Sequence, residues 1–404
     1  MLLCPQEIAA TRISTLSVIG SLIPCGPGVW PGRCIPATII AKAATPRVRL
    51  GAVAALVLTA AQVMAMPPPS ETLRVLVTGA SGYLGQFLLD DILKRGNVVG
   101  GRPLKVAGTY TSRHSIPEGV EAVPLDLQDA VSVERCVEAF RPDVVINLAA
   151  LSSPAACEKS PAEAEALNAP KLLLSALEKT SPHSLFIHIS TDQIFDGNNA
   201  VYSEDSETHP VNTYGATKLM FEQELRHRWP NHVILRSSLI YGPAPPRACS
   251  RKDTFLQFLD AALAKEAPTA LFADEVRCPI YVHDVTAVIL SFLAADAFRV
   301  CAAASDPNAL PRGSRTFNMG GPERLSRVQM GEIVCQVRGY PSTRIRHSSR
   351  AELDLGFTSP LDISMNSSKL MDRTAWVKDA LAAIHGSRDA GPASFHAVAV
   401  KLLR

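Results

Sequence analysis

Ser190-Thr191-Asp192 ends an apolar run, and 23 residues after Thr191 (214 minus 191) a helical stretch opens with Tyr214-Gly215-Ala216-Thr217-Lys218. A spacing of four places the Tyr214 phenol and the Lys218 ammonium on one helix face, where the cation lowers the phenol pKa and can also hold a cofactor ribose. Tyr214 is then an acid that protonates a carbonyl oxygen as a hydride arrives, while Thr191 donates a hydrogen bond to the same oxygen. The hydride itself is cofactor chemistry. A Tyr and a Lys at this spacing are ordinary on a helix surface. The pair carries weight only together with the strand-end Thr191 and a nucleotide-binding loop.

Such a loop is present. Thr78-Gly79-Ala80-Ser81-Gly82-Tyr83-Leu84-Gly85 stands between a β-type run and an amphipathic stretch. Gly79 permits the tight turn, Gly82 lets backbone approach a pyrophosphate, and Gly85 allows helix and strand to pack closely. With Ser81, Tyr83 and Leu84 they form the candidate cradle. Where an NAD-selective protein offers an acid to the ribose, this chain has Gly108-Thr109-Tyr110-Thr111-Ser112-Arg113. Thr111, Ser112 and Arg113 suit a 2′-phosphate, so NADP(H) is favoured and NAD(H) stays possible. The alternative is an arginine in a solvated loop.

These groups need a scaffold. From Leu73 onward, short Val/Ile/Leu-rich runs alternate with amphipathic helices, which predicts an α/β fold: a doubly wound parallel sheet of the Rossmann type. Strands are expected at Leu73 to Thr78, Leu104 to Tyr110, Glu121 to Pro124, Asp143 to Leu148, Ser184 to Ile189 and His232 to Ile240. Helices are expected at Tyr83 to Arg95, Ala130 to Phe140, Pro161 to Lys179 and Asn212 to Arg228. The cofactor part is mainly 73–240. A smaller substrate lobe, mainly 241–281 and 320–404, should leave a crevice at the carboxyl ends of the strands. The Ala/Ser/Pro-rich stretch from Cys301 to Arg315 reads as a surface insertion.

With 40 basic and 38 acidic residues in 404, charge gives no case for nucleic acid or an anionic membrane as partner. A small-molecule substrate is expected. Nine cysteines without a Cys-x-x-Cys pair or a zinc-spaced His cluster predict no structural metal and a reduced, intracellular protein. Residues 1–70 carry one acid, Glu7, beside five basic residues, and read as a leader outside the fold of 71–404. A genuine leader implies a chloroplast or another organelle. Translation starting near Met66 implies the cytoplasm. The apolar run from Leu50 to Met66 is short and weak for a span, so no stable membrane insertion of the folded domain is expected.

Further short motifs follow the same order: Asp126-Leu127, Asn147-Leu148-Ala149-Ala150, Asn168, Phe195-Asp196-Gly197, Leu235-Arg236, Tyr241-Gly242-Pro243, Pro279, Pro360-Leu361-Asp362 and Lys369-Leu370. With the glycine loop and the Tyr214/Lys218 helix, they make the chain from about Leu73 to Leu370 resemble the extended short-chain dehydrogenases/reductases. The branch it resembles most holds dTDP-4-dehydrorhamnose reductase and the regulatory β subunit of methionine adenosyltransferase. The resemblance implies that Asp126 and Leu127 flank an adenine, that Ala149 and Ala150 pass along the cofactor, and that Asn168 supports the active site.

It also implies a function: NADPH-dependent reduction of a keto sugar nucleotide. The alternative is an NADP-binding regulatory subunit of methionine adenosyltransferase with little or no turnover. Two positions depart from the rhamnose-forming pattern. Gln193 follows Ser-Thr-Asp where Tyr is usual, and Leu239 stands where an aromatic is common. Asp192 and Gln193 are expected near the sugar. Arg277, beside Asp274 and Glu275, could clamp a diphosphate bidentately or belong to a solvated charge run.

Overall fold

The computed structural model describes residues 72–111, 115–248, 254–295, 315–387 and 391–404. The leader of residues 1–70, Ser112, Arg113 and the expected insertion from Cys301 up to residue 314 lie outside the described residues.

β1 (Leu73–Thr78) leads through the glycine loop into α1 (Tyr83–Lys94). A short hairpin of β2 (Val98–Val99) and β3 (Arg102–Tyr110) follows, then β4 (Glu121–Pro124), α2 (Ala130–Phe140) and β5 (Val144–Asn147). Three helices come next, α3 (Pro154–Lys159), α4 (Pro161–Asn168) and α5 (Lys171–Thr180), before β6 (Leu185–Thr191), α6 (Thr213–Arg228) and β7 (His232–Ser237). Beyond the small strands β8 (Ile240–Tyr241), β9 (Thr269–Phe272), β10 (Val276–Arg277) and β11 (Ile280–Tyr281), β12 (Thr316–Met319) returns to the main sheet. Its order is β12-β7-β6-β5-β1-β3, with β2 and β4 beyond, and every pairing is parallel except β2 with β3. From β1 the chain runs outward to β3 and β4, then crosses back to β5, β6 and β7. That reversal opens a crevice at the carboxyl ends of β1 and β5.

Both faces of the sheet are covered, which is why its strands read as unbroken apolar runs. Side-chain alternation sends Val75 and Val77 of β1 to one face and Leu76 to the other. The first face packs on Leu88, Leu89 and Ile92 of α1 and on α8 (Val282–Ala294), whose Val285, Ile289 and Phe292 are buried. The second packs on α2, α5 and α6 through Val137, Leu173, Leu177, Phe221 and Leu225. A third core holds α7 (Phe255–Leu263), α9 (Arg327–Arg338) and α12 (Phe395–Leu403) together through Leu259, Val334 and Val398.

Several elements differ from the sequence expectation, each for a local reason. The single helix expected at Pro161 to Lys179 is two, because Pro170 has no N–H to donate and forces Ala169 out of helical geometry (φ −122°, ψ 68°). β6 extends through Thr191. β7 stops at Ser237, and Ile240–Tyr241 pairs separately with Ile280–Tyr281. α3 was not foreseen, although Ser153 caps it and Pro154 occupies its first turn. Within the span expected to form the substrate lobe, α10 (Ser368–Arg373) is followed by α11 (Ala375–His385), which packs on α8 in the sheet-side core through Val377 and Leu381.

Among the described residues there is no cluster of His, Cys, Asp and Glu fit to hold a metal ion, and no helix is long and apolar enough to cross a membrane. Cys136, Cys157, Cys278 and Cys335 are free thiols.

Candidate active site

The glycine loop is shaped by steric need. Gly79 has φ +65°, and a Cβ there would lie 2.6 Å from the backbone N of Ala149 on the neighbouring turn. A Cβ on Gly85 would come within 2.6 Å of Ala80 Cα, so α1 can sit down on its own strand only without one. Gly82 is the N-cap of α1 and brings no side-chain oxygen to the helix start. The first-turn N–H groups of α1 thus open toward the cleft that Gly79, Gly82, Tyr83, Leu84 and Gly85 line, an arrangement suited to a phosphate anion. Beneath the loop, Thr78 Oγ1 donates to Asn147 Oδ1 at 2.6 Å, and Asn147 Nδ2 lies 3.1 Å from His188 Nδ1, tying the ends of β1 and β5 to the middle of β6.

Opposite the loop, the same cleft of about 280 Å³ is lined by Thr191, Asp192, Gln193, Tyr214 and Lys218. α6 positions the last two. Its N-cap Asn212 accepts from Gly215 N, and Glu158 of α3 accepts from both the backbone N–H and the hydroxyl of Thr213. Asn168, at the end of α4, accepts from Leu151 N and donates to Thr217 Oγ1, joining the turn after β5 to α6. The break at Pro170 leaves Asn168 at that helix end.

Lys218 is 2 % exposed and donates to the carbonyl of Ile189 at 2.5 Å. Burial, opposed in part by Glu222, pushes its ammonium down to about 7. Thr191 Oγ1 accepts from Gln193 N and lies 3.2 Å from Asp192 Oδ1. Burial raises the Asp192 carboxyl above its ordinary value against the pull of Arg277 and of the Ser238 hydroxyl, which donates to it at 2.8 Å. Gln193 is held through its Oε1 by Asn212 Nδ2 at 2.9 Å.

The other expected site residues divide between this cleft and the surface or core around it. Ala150 lines the cleft and Ala149 adjoins Gly79. Asp126 is exposed and accepts from Gln128 N, while Leu127 is buried among the residues under α2 and α5, so neither side chain reaches the cleft of Tyr214. Thr111 is exposed at the end of β3.

Arg277, expected either to clamp a diphosphate or to belong to a solvated charge run, lines the same cleft. It is 3 % exposed, and its forked end is spent on protein: Nη1 donates to the carbonyls of Val276 and Leu361, and Nη2 to Glu275, Ser359 and Pro360. A guanidinium so occupied braces the loop at 359–361 against β10. Sequence reasoning missed Arg327, which lines the cleft beside Arg277, and gave Glu275 no role of its own. Glu275 is buried beneath both arginines. Burial pushes its carboxyl upward, yet Arg327 and Arg277 prevail and hold it at about 2. A larger depression of about 890 Å³, lined by Glu158, Asp274 and Arg350, lacks Tyr214, Lys218 and the glycine loop.

The family model described as RmlD substrate binding domain matches residues 73–383. The chain belongs to this family. Among relatives of this RmlD-domain protein is the probable low-salt glycan biosynthesis reductase Agl14 of Haloferax volcanii, 30 % identical over 326 residues, covering 77 % of this chain and 97 % of that one. Methionine adenosyltransferase 2 subunit beta of Xenopus tropicalis is 27 % identical over 274 residues, 68 % of this chain and 74 % of the other. The fold is also that of dTDP-4-dehydrorhamnose reductase from Bacillus anthracis, solved in complex with NADP: TM-score 0.58, 19 % identity, 82 % of this chain and 98 % of that structure.

Proposed function

We propose that this RmlD-domain protein is an NADPH-dependent reductase of a ketone carried on a sugar nucleotide. The observation that carries the reading is the convergence of Tyr214, Lys218 and Thr191 on the cleft that the Gly79–Gly85 loop lines. The loop fits a dinucleotide: a Cβ-free turn at Gly79 and an uncapped helix start at Gly82 are what a pyrophosphate needs. When bound, NADPH supplies the hydride.

The chain's own residues do the rest. Tyr214 donates the proton to the carbonyl oxygen. Lys218, when protonated, favours the phenolate that remains and so eases that transfer. Thr191 holds the carbonyl oxygen by a hydrogen bond, and Asp192 and Gln193 meet the sugar. Thr111, Ser112 and Arg113 receive the 2′-phosphate, Asp126 and Leu127 flank the adenine, and Ala149 and Ala150 run along the cofactor. Residues 241–281 with 320–404 supply the substrate side, apart from α11, which packs on the sheet. The test is NADPH consumption with dTDP- or UDP-4-keto-6-deoxy sugars. Tyr214→Phe should lower turnover by about 10²–10⁴-fold and leave NADPH binding nearly intact, and normal turnover in that variant would sink the assignment.

A second reading, a regulatory subunit that docks on methionine adenosyltransferase, is favoured by the 27 % identity with the Xenopus tropicalis subunit and by Gln193. Tight NADPH binding without turnover, together with co-purification of a synthetase, would select it.

A further inference from the structure

Arg327 is oddly placed for a structural arginine. It opens α9, where the helix dipole disfavours a cation, and where Ser326 and Gln329 already close a capping box without its help. Its side chain is 14 % exposed. Nε donates to Glu275 Oε2 at 2.6 Å, and the guanidinium carbon lies 4.5 Å from the centre of the Phe255 ring. Nη1 is buried, and nothing accepts from it. The residue lines the cleft that Asp192, Tyr214, Lys218 and Arg277 also line.

A buried guanidinium N–H without an acceptor costs free energy until something meets it. Here the side chain is already fixed: Glu275 holds one edge, Phe255 supports the plane, and Glu275 is itself pinned by Arg277 and Ser359. A cation oriented in advance and short of an acceptor recognises an oxyanion at little cost in ordering. Glu275 therefore divides two arginines by role. Arg277 is consumed by backbone carbonyls, and Arg327 keeps donors in hand.

We propose that Arg327 is the substrate-recognition residue of this cleft and donates to the diphosphate of a nucleotide-linked substrate. This rests on the reading of the cleft as a sugar-nucleotide site, and it assigns the anion contact not to Arg277, for which the residue types allowed it, but to a residue 50 positions on (327 minus 277).

The test uses the full chain with NADP bound and titrates dTDP and, separately, UDP, with NADPH binding followed in parallel. Arg327→Gln should weaken dTDP or UDP by about ten- to a hundredfold and leave NADPH affinity unchanged. Arg327→Lys, which keeps the charge but not the fork, should fall between. Equal affinity in wild type and Arg327→Gln overturns the assignment. So does a parallel loss of dTDP and NADPH binding in both variants, which marks a merely structural role, and so does a wild type that binds neither nucleotide. Arg327-dependent dTDP binding without keto-sugar turnover defeats the reductase reading instead and leaves this assignment standing.

Discussion

Glu158 grips Thr213 with both carboxylate oxygens, one accepting the backbone N–H at 2.7 Å and the other the hydroxyl at 2.8 Å. Thr213 precedes Tyr214, so the carboxylate fixes the helix start from which the phenol projects. An anion there also suits the positive end of α6. Glu158→Ala should lower kcat by about tenfold, the effect of a misplaced acid, while NADPH affinity stays the same and stability drops by about 1 kcal/mol. A variant with wild-type kcat would show that Asn212 alone sets the phenol.

Lys218 predicts a pH dependence. Its ammonium, pushed down from 10.5 to about 7 by burial, is protonated in the free protein below that pH and neutral above it. kcat/KM for NADPH should therefore fall as pH rises beyond about 7. Stability moves the opposite way. Between about 7 and 10.5 the unfolded chain holds the proton that the folded chain has lost, so unfolding free energy rises with pH across that window. Urea denaturation at pH 7 and pH 10 should show the rise in wild type and its absence in Lys218→Met. A rise that persists in the variant would assign the titration to another group.

Gly79→Ala should fail on two counts, since Ala is strained at φ +65° and its Cβ would meet the backbone of Ala149. The expected outcome is a loss of at least about 1–2 kcal/mol in stability and a marked fall in NADPH affinity, followed by thermal melting and fluorescence titration. Tight NADPH binding in this variant would mean that the loop is not the cradle.

Arg277→Met removes the brace between β10 and the 359–361 loop and leaves Glu275 short of a partner. Breaking a buried pair from one side costs about 3–5 kcal/mol. Denaturant unfolding should show that loss. A folded variant of normal stability that fails only to bind dTDP would restore Arg277 as the anion clamp.

The scaffold was legible because its strands are buried on both faces. Such strands read as apolar runs, and Leu73–Thr78 keeps the bounds read from it; the edge strand Glu121–Pro124 keeps its bounds as well, although its residues are exposed or half-buried. Pro170 was visible too, yet the apolar period on either side of it read as one helix. α3 has only six residues, too few to show a period. Tyr214, Lys218, Thr191 and the glycine loop form local motifs, so their types and spacing could be read together. Nothing local distinguishes Arg277 from Arg327. Which arginine is spent depends on carbonyls at 360 and 361 brought in from across the fold, and that is tertiary information.

The sheet has a bearing on how the chain is made. β12 pairs with β7 across 82 residues (Thr316 with Ile234, 316 minus 234), and α11 comes later still to cover α8. A ribosome that has released every strand of the cofactor half through Ser237 has not yet released the parts that close its edge and seal one of its faces. Loops this long must close before their contacts reward them. The growing chain thus carries unpaired strand edge and uncovered apolar surface until about residue 385 has emerged, an interval in which holding chaperones would find their substrate.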